Sequence, residues 1–177
     1  MRALPVWEII CQRWFPTTDN VGNVAQRDNK IGPTTYGSRS DTGRAGSGIF
    51  SSTPENDVKI SIRNPNHCSV FRSKLSAISG ALDHALNSFK DSIWILTDSR
   101  SSIQYLKSWL KIMDSTGLDI LSQLVKLGQR KKVCLQWIPS HVGVPENEAA
   151  DELAGRGCDL PNPSSTVLTH SEIHSFQ

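Results

Sequence analysis

Leu135-Gln136-Trp137-Ile138-Pro139-Ser140-His141-Val142-Gly143-Val144-Pro145-Glu146-Asn147-Glu148-Ala149-Ala150-Asp151-Glu152-Leu153-Ala154 is the stretch on which the reading of this chain turns. It begins inside an apolar run over 133–138, a length that suits a buried strand better than a helix. A loop of Pro, Ser, His and Gly follows. A last helix is expected over 146–155, ended by glycines.

Working outward, Ile93-Trp94-Ile95-Leu96 forms a second unbroken apolar run, expected as a strand over 92–97 covered on both faces, as in a parallel sheet. Two helices are expected between these strands. One carries Ile103, Leu106, Leu110 and Met113; the other spans about 117–130 with Leu118, Leu121, Leu124, Val125 and Leu127. Upstream lies the strongest helical pattern, over 69–90, where Phe71, Leu75, Ile78, Leu82, Ala85 and Phe89 make one stripe. Three strands precede it. A weak one over 31–38 is interrupted by Pro33. A second, at Ile49-Phe50, follows the Gly- and Ser-rich stretch 37–48. A third, over 58–63, alternates Val58/Ile60/Ile62 against Lys59/Ser61/Arg63. Short turns between them imply an antiparallel meander. The whole reads as α/β: a mixed five-stranded sheet, three strands antiparallel and two parallel, flanked by helices. Ligands of such sheets sit outside the carboxyl ends of the parallel strands.

The 177 residues suit one domain with tails, expected as an extension and linker over 1–30, the domain over 31–160 and a polar tail over 161–177. Trp7, Ile9, Ile10, Trp14 and Phe15 suggest a short docking helix in the extension. With 37% hydrophobic and 20% charged residues, disorder throughout is excluded. The net charge of +2 says little, but its distribution says more. Arg100, Lys107, Lys111, Lys126, Arg130, Lys131 and Lys132 face only Asp114 and Asp119 over 99–132, whereas 133–177 holds six acidic residues against Arg156. That asymmetry is compatible with a polyanion held beside a cation site, but on charge alone two ordinary solvated helix faces are the favoured reading. Cys11, Cys68, Cys134 and Cys158 are widely spaced, which points to reduced thiols and an intracellular protein. No stretch approaches the roughly 20 apolar residues of a membrane span.

A second segment, Ile95-Leu96-Thr97-Asp98-Ser99-Arg100-Ser101-Ser102-Ile103, joins the first in deciding the family. Asp98 alone reads as a helix cap more readily than as a ligand. In this order and separation, however, and together with Thr35-Tyr36-Gly37-Ser38 and the helix around Phe71, the segments resemble the ribonuclease H domain of non-LTR retrotransposons over about 31–158. The resemblance implies hydrolysis of RNA in RNA/DNA hybrids by two Mg²⁺ ions held by four carboxylates, with a loop histidine assisting. Mg²⁺ prefers carboxylate oxygen and water, and two ions about 4 Å apart can activate water and stabilise the leaving oxygen. Carried onto this chain, the resemblance implies metal-binding and catalytic roles for Asp98 and Asp151 and a catalytic role for His141. The basic stretch suggests Arg100, Lys107 and Lys111 for nucleic acid, with the 130–132 cluster beside them. A monomer is expected, with a reverse transcriptase as partner in the parent element. Nothing in the pattern assigns nucleus or cytoplasm.

Two positions depart from the pattern. Where the first strand should read T-D-G-S it reads Thr35-Tyr36-Gly37-Ser38, and where the helix carboxylate should stand, three residues after Phe71, there is Lys74. Tyrosine is a poor Mg²⁺ ligand at neutral pH, and lysine has no lone pair to offer while charged. Asp41, Glu55 and Asp57 are nearby in sequence but past the strand end or in the next turn. The site is therefore expected to be degenerate, with weak metal binding, and Lys74 is expected to pair with Asp98 or Asp151. An impaired nuclease, a non-catalytic nucleic-acid or interaction module, and a retroelement fossil all remain open on sequence alone.

Overall fold

The computed structural model describes residues 32–53, 56–140, 143–161, 163, 168 and 172–173. The helix and linker expected within 1–30, and His141, lie outside the described residues. The elements run β1 (Thr34–Arg39), β2 (Ala45–Ser52), β3 (Asp57–Asn64), α1 (Val70–Leu86), β4 (Ser92–Thr97), α2 (Arg100–Lys107), a 3₁₀ turn (Trp109–Lys111), α3 (Ser115–Gly128), β5 (Lys132–Trp137) and α4 (Pro145–Asp159).

The sheet order is β3-β2-β1-β4-β5. β1, β2 and β3 pair antiparallel, β1 pairs parallel with β4, and β4 parallel with β5. This is the mixed five-stranded sheet expected from the sequence. Pro33 does not spoil β1, because it precedes the strand and its carbonyl still accepts from the Leu96 N–H at 3.0 Å.

The Gly- and Ser-rich stretch 37–48 is mostly strand, contrary to expectation. A Cβ on Gly46 or Gly48 would run into the backbone carbonyls of Ala154 and Ala150, so α4 lies directly on β2. A Cβ on Gly37 would meet the α1 backbone at Ser73 and Lys74. Gly37 is in register with Ser47, whose hydroxyl donates to Ser73 O at 2.6 Å. Tyr36 is in register with Gly48. Side chains of directly opposed residues share a face. So α1 covers one face of the meander, and α4 covers the other beside Tyr36. The glycines are there for close backbone approach.

Helix ends also differ. α1 stops at Leu86, and Phe89 is fully exposed. α2 ends at Lys107, leaving Leu110 and Met113 in solvent. In α3 the buried positions are Gly117, Ile120, Leu124 and Leu127, while Leu118 and Val125 are exposed. α4 runs to Asp159 through Gly155 and Gly157; a Cβ on Gly157 would lie 2.6 Å from Ile62 O, so this glycine marks another close approach and not a helix end. The core between the sheet and α1, α2 and α3 is built on Leu75, Ile78, Leu82, Ile95, Ile103, Leu124 and Leu135. Cys68, Cys134 and Cys158 are buried.

The segment read as a polar tail is tied down at Glu172. Ser69 caps α1, accepting from the Arg72 N–H at 3.1 Å. Glu172 Oε1 accepts from the Ser69 N–H at 2.8 Å and from the Ser69 hydroxyl at 3.1 Å, and Oε2 pairs with Arg72 at 2.9 Å. A capping box normally draws its acid from the third helical position. Arg72 stands there, and the acid comes from 100 residues away.

Two glycine substitutions should move stability in opposite directions. Gly48→Ala forces α4 off β2 and should cost about 1–3 kcal/mol or more, the usual range for overpacking. Gly155→Ala meets nothing within 4 Å and should stabilise α4 by about 0.5–1 kcal/mol. Urea denaturation of both variants is the check; equal signs would contradict the packing described.

Candidate functional site

The parallel β1–β4 pairing ends at Thr35 opposite Thr97, so Tyr36 and Asp98 are the next residues out on neighbouring strands. Asp98 is followed at once by α2, yet it does not cap that helix. Ser99 does, accepting from the Ser102 N–H at 3.2 Å. This leaves the Asp98 carboxylate, 1% exposed, turned into the site. Its Oδ2 accepts from Lys74 Nζ at 2.8 Å and from the Ser140 hydroxyl at 2.9 Å. Its Oδ1 is buried with no hydrogen-bond partner among the described residues. The indole N–H of Trp137 donates to the Asp98 carbonyl at 3.1 Å, fixing the turn between β4 and α2.

Lys74 reaches this carboxylate from α1, and its Nζ lies 5.3 Å from the centre of the Tyr36 ring. The Tyr36 phenol is pushed up to about 12 by burial, then by the negative charges of Asp151 and Asp98. It therefore remains a neutral hydroxyl at physiological pH. Asp151 comes from α4, one residue past the Ala150 carbonyl that lies over Gly48, the register partner of Tyr36. Lys74 and Asp98 thus meet at the sheet end beside Tyr36, and Asp151 stands within electrostatic range of Tyr36. Asp57 stands away from this sheet end. It lies four residues along β3 from Ser61, which is level with Tyr36 through Gly48; that is about 13 Å of strand. Asp41 is exposed in the turn beyond β1.

Ser140 was missed by the sequence reading. The signal for it is slight: β5 pairs with β4 up to Thr97 opposite Trp137, and the Ile138 N–H continues the ladder to Thr97 O at 2.9 Å. A hydroxyl two residues later falls beside Asp98.

The donor set does not fit a pair of Mg²⁺ ions. Among the described residues no three His, Cys, Asp or Glu side chains gather to hold a metal. At Asp98, the buried carboxylate of this sheet end, an ammonium already occupies one oxygen.

The basic residues divide. Arg100 is exposed, with its guanidinium carbon 3.8 Å from the centre of the Trp137 ring, next to Asp98. Lys107 and Lys111 are exposed further along. Lys131 is instead pinned to the carbonyls of Ala85 and Ser88 at the carboxyl end of α1, where a cation complements the helix dipole. It is therefore not part of an open basic cluster with Arg130 and Lys132. No helix among the described residues is long and apolar enough to cross a membrane.

A sequence model of the family described as RNase H matches residues 34–159. The Ribonuclease H of Methylococcus capsulatus is 36% identical, over 37% of this chain and 49% of that protein. The Ribonuclease H of Agrobacterium fabrum is 33% identical, over 48% of this chain and 64% of that protein. The chain spans about half the length of the first of these relatives. Among solved structures, RNase H1 of the halophilic archaeon Halobacterium salinarum superposes with a TM-score of 0.53 at 19% identity, covering 73% of this chain and 97% of that one. That likeness concerns the fold.

Two measurements test the electrostatics of the sheet end. Lys74→Met removes the partner of a buried carboxylate. Such losses cost about 3–5 kcal/mol at full burial, and less here because Lys74 is one-fifth exposed, so about 1–3 kcal/mol is expected. In an Asp98→Asn background the same change should cost little. A urea-denaturation cycle in EDTA measures the coupling. Tyr36 ionises near 12, above its unfolded value of 10. The unfolded chain therefore loses that proton first, and this group's contribution to stability is lost as pH rises from about 10 towards 12. Absorbance of tyrosinate should show Tyr36 titrating late, and Tyr36→Phe should remove that step.

Proposed function

This chain belongs to the RNase H family, and from that membership and its altered sheet end we propose that it is a ribonuclease H domain of retroelement descent that recognises RNA/DNA hybrid, with two-metal cleavage lost or much reduced. The observation that carries the proposal is the ion pair between Lys74 Nζ and Asp98 Oδ2 at 2.8 Å. An ammonium bonded to the carboxylate of Asp98 opposes a divalent ion there. Tyr36, held neutral, supplies no ligand charge. Retroelement descent is supported by the stretch from Ser140 through His141 to Asp151, which carries the original resemblance.

Asp98 and Asp151 are the metal ligands that the proposal assigns to the ancestral site, and His141 is its loop base. Arg100, stacked on Trp137 at the edge of the site, is the first contact proposed for the phosphate backbone, with Lys107 and Lys111 beyond it. α2 rises about 1.5 Å per residue, so Arg100 and Lys107 are spaced about 10 Å apart along its axis. A-form-like duplexes are read mainly by backbone and 2′-hydroxyl contacts, which such spaced cations suit. An intracellular site of action follows from a nucleic-acid substrate of this kind.

The double change Tyr36→Asp plus Lys74→Glu should restore metal-dependent cleavage, while either change alone restores little. Tyr36→Asp alone leaves the ammonium; at an effective dielectric of about 20, like charges roughly 4 Å apart repel by about 4 kcal/mol, near three powers of ten in affinity. Lys74→Glu alone leaves a phenol in the first strand. Groups that act as a unit are strongly non-additive. Cleavage of a labelled hybrid by wild type, both singles and the double, in Mg²⁺ and Mn²⁺, decides it. A wild type as active as the double would refute the proposed loss.

A further inference from the structure

Asp98 presents two unlike oxygens. Oδ2 receives Lys74 Nζ at 2.8 Å and the Ser140 hydroxyl at 2.9 Å, whereas Oδ1 is buried with no partner among the described residues. A 1%-exposed carboxylate is costly unless a cation answers it. In a site designed for divalent ions the ion gives that answer. Here the ammonium does, attached to α1 through the backbone that lies against Gly37 of β1. Lys74 keeps 20% of its side chain exposed, and an ammonium has three donors, of which Asp98 takes one.

We infer that Lys74 is a tethered counter-ion: it fills the cation position at Asp98, makes the folded site independent of divalent metal, and offers its remaining donors to a phosphodiester oxygen of a bound duplex. The last part rests on the proposed recognition of RNA/DNA hybrid; the first two do not. The formal charge of Asp98, Asp151 and Lys74 is −2 + 1 = −1. A fixed positive charge can meet a phosphate directly, where a carboxylate pair would first need to recruit metal. Positive charge built into the protein also differs from bound metal in being insensitive to chelators.

The test uses the full chain, its Lys74→Gln variant and its Lys74→Arg variant. Mn²⁺ binding is read by the loss of the free-ion paramagnetic resonance signal, and melting temperature is read with and without Mn²⁺. Wild type and Lys74→Arg should take up no Mn²⁺ at millimolar concentration, and their melting temperatures should not rise. Lys74→Gln should bind one Mn²⁺ and melt a few degrees higher with it, as expected when a ligand binds only the folded state. Hybrid binding is then compared in EDTA and in Mn²⁺ at matched ionic strength, at low and at raised salt. Wild type should change less than about twofold between EDTA and Mn²⁺. Lys74→Gln should bind about tenfold more weakly in EDTA, the scale of one charge-assisted contact, and recover in Mn²⁺. Mn²⁺ uptake by wild type equal to that of Lys74→Gln, or none by either, overturns the counter-ion. Absence of hybrid binding by wild type at low salt sinks the proposed recognition instead, and the metal-uptake result still stands. Should Lys74→Gln fail to fold in EDTA but fold in Mn²⁺, the counter-ion is supported; failure in both overturns metal replacement at this position.

Discussion

The parallel pairing of β1 with β4 rests on two register positions, Thr34 opposite Leu96 and Thr35 opposite Thr97, and the functional end of the molecule depends on it. It is reinforced by the Thr35 hydroxyl donating to Leu96 O and by the Pro33 carbonyl accepting from the Leu96 N–H, both at 3.0 Å. On one side it carries the antiparallel meander with α4 laid over it. On the other it carries β5 and the loop that brings Ser140 back to Asp98. Neighbouring strands lie about 4.8 Å apart, so once Thr35 and Thr97 are level, Tyr36 and Asp98 emerge side by side. No loop has to place either of them. The glycines at 37, 46 and 48 then let α1 and α4 lie close on the two faces, with Lys74 reaching Asp98 and Asp151 within electrostatic range of Tyr36.

Much of this was legible because the relevant signals are local. The unbroken runs Ile93 to Leu96 and Val133 to Ile138 mark strands covered on both faces, and both are. The stripe from Phe71 to Leu82 marks α1, and the position three residues after Phe71 already pointed to Lys74 as a partner for Asp98 or Asp151. What stayed hidden depends on contacts distant in sequence. Gly and Ser are poor strand formers, so 37–48 looks like a loop until helices come down on both faces. Gly157 looks like a helix end until Ile62 is seen beneath it. Leu110, Met113 and Phe89 fit helical spacing, but the chain turns at Ser108 and Asn87, and periodicity carries no information about where a helix stops being covered. Glu172, in a polar segment with no pattern, caps a helix 100 residues upstream, and no local reading could have found it.

The division of labour at the end of β4 explains why Asp98 could be read as either cap or ligand. An aspartate and a serine in succession offer two side-chain acceptors to the same helix start. Ser99 takes the capping role, and its hydroxyl is buried among those of Ser101 and Ser102. Asp98 is thereby released to face the site, at the cost of burying a charge. That cost is what makes the identity of residue 74 consequential for folding as well as for chemistry.

A cluster of four carboxylates at one sheet end carries about −4 and is held together by the ions it binds. Under the proposed descent, a neutral tyrosine at position 36 would leave the other carboxylates still in repulsion. A neutral residue at 74 would leave Asp98 and Asp151 with a net −2 and the buried Asp98 without a cation. Lysine there lowers the total to −1 and bonds the more buried acid directly. Lys74 thus supplies the positive charge that the buried Asp98 requires, and this sheet end is neutralised by the chain's own residues. The same ammonium that stabilises Asp98 is the feature on which the proposed loss of two-metal cleavage rests. Under that proposal, stability and cleavage at this sheet end are set against each other by a single contact, Lys74 to Asp98.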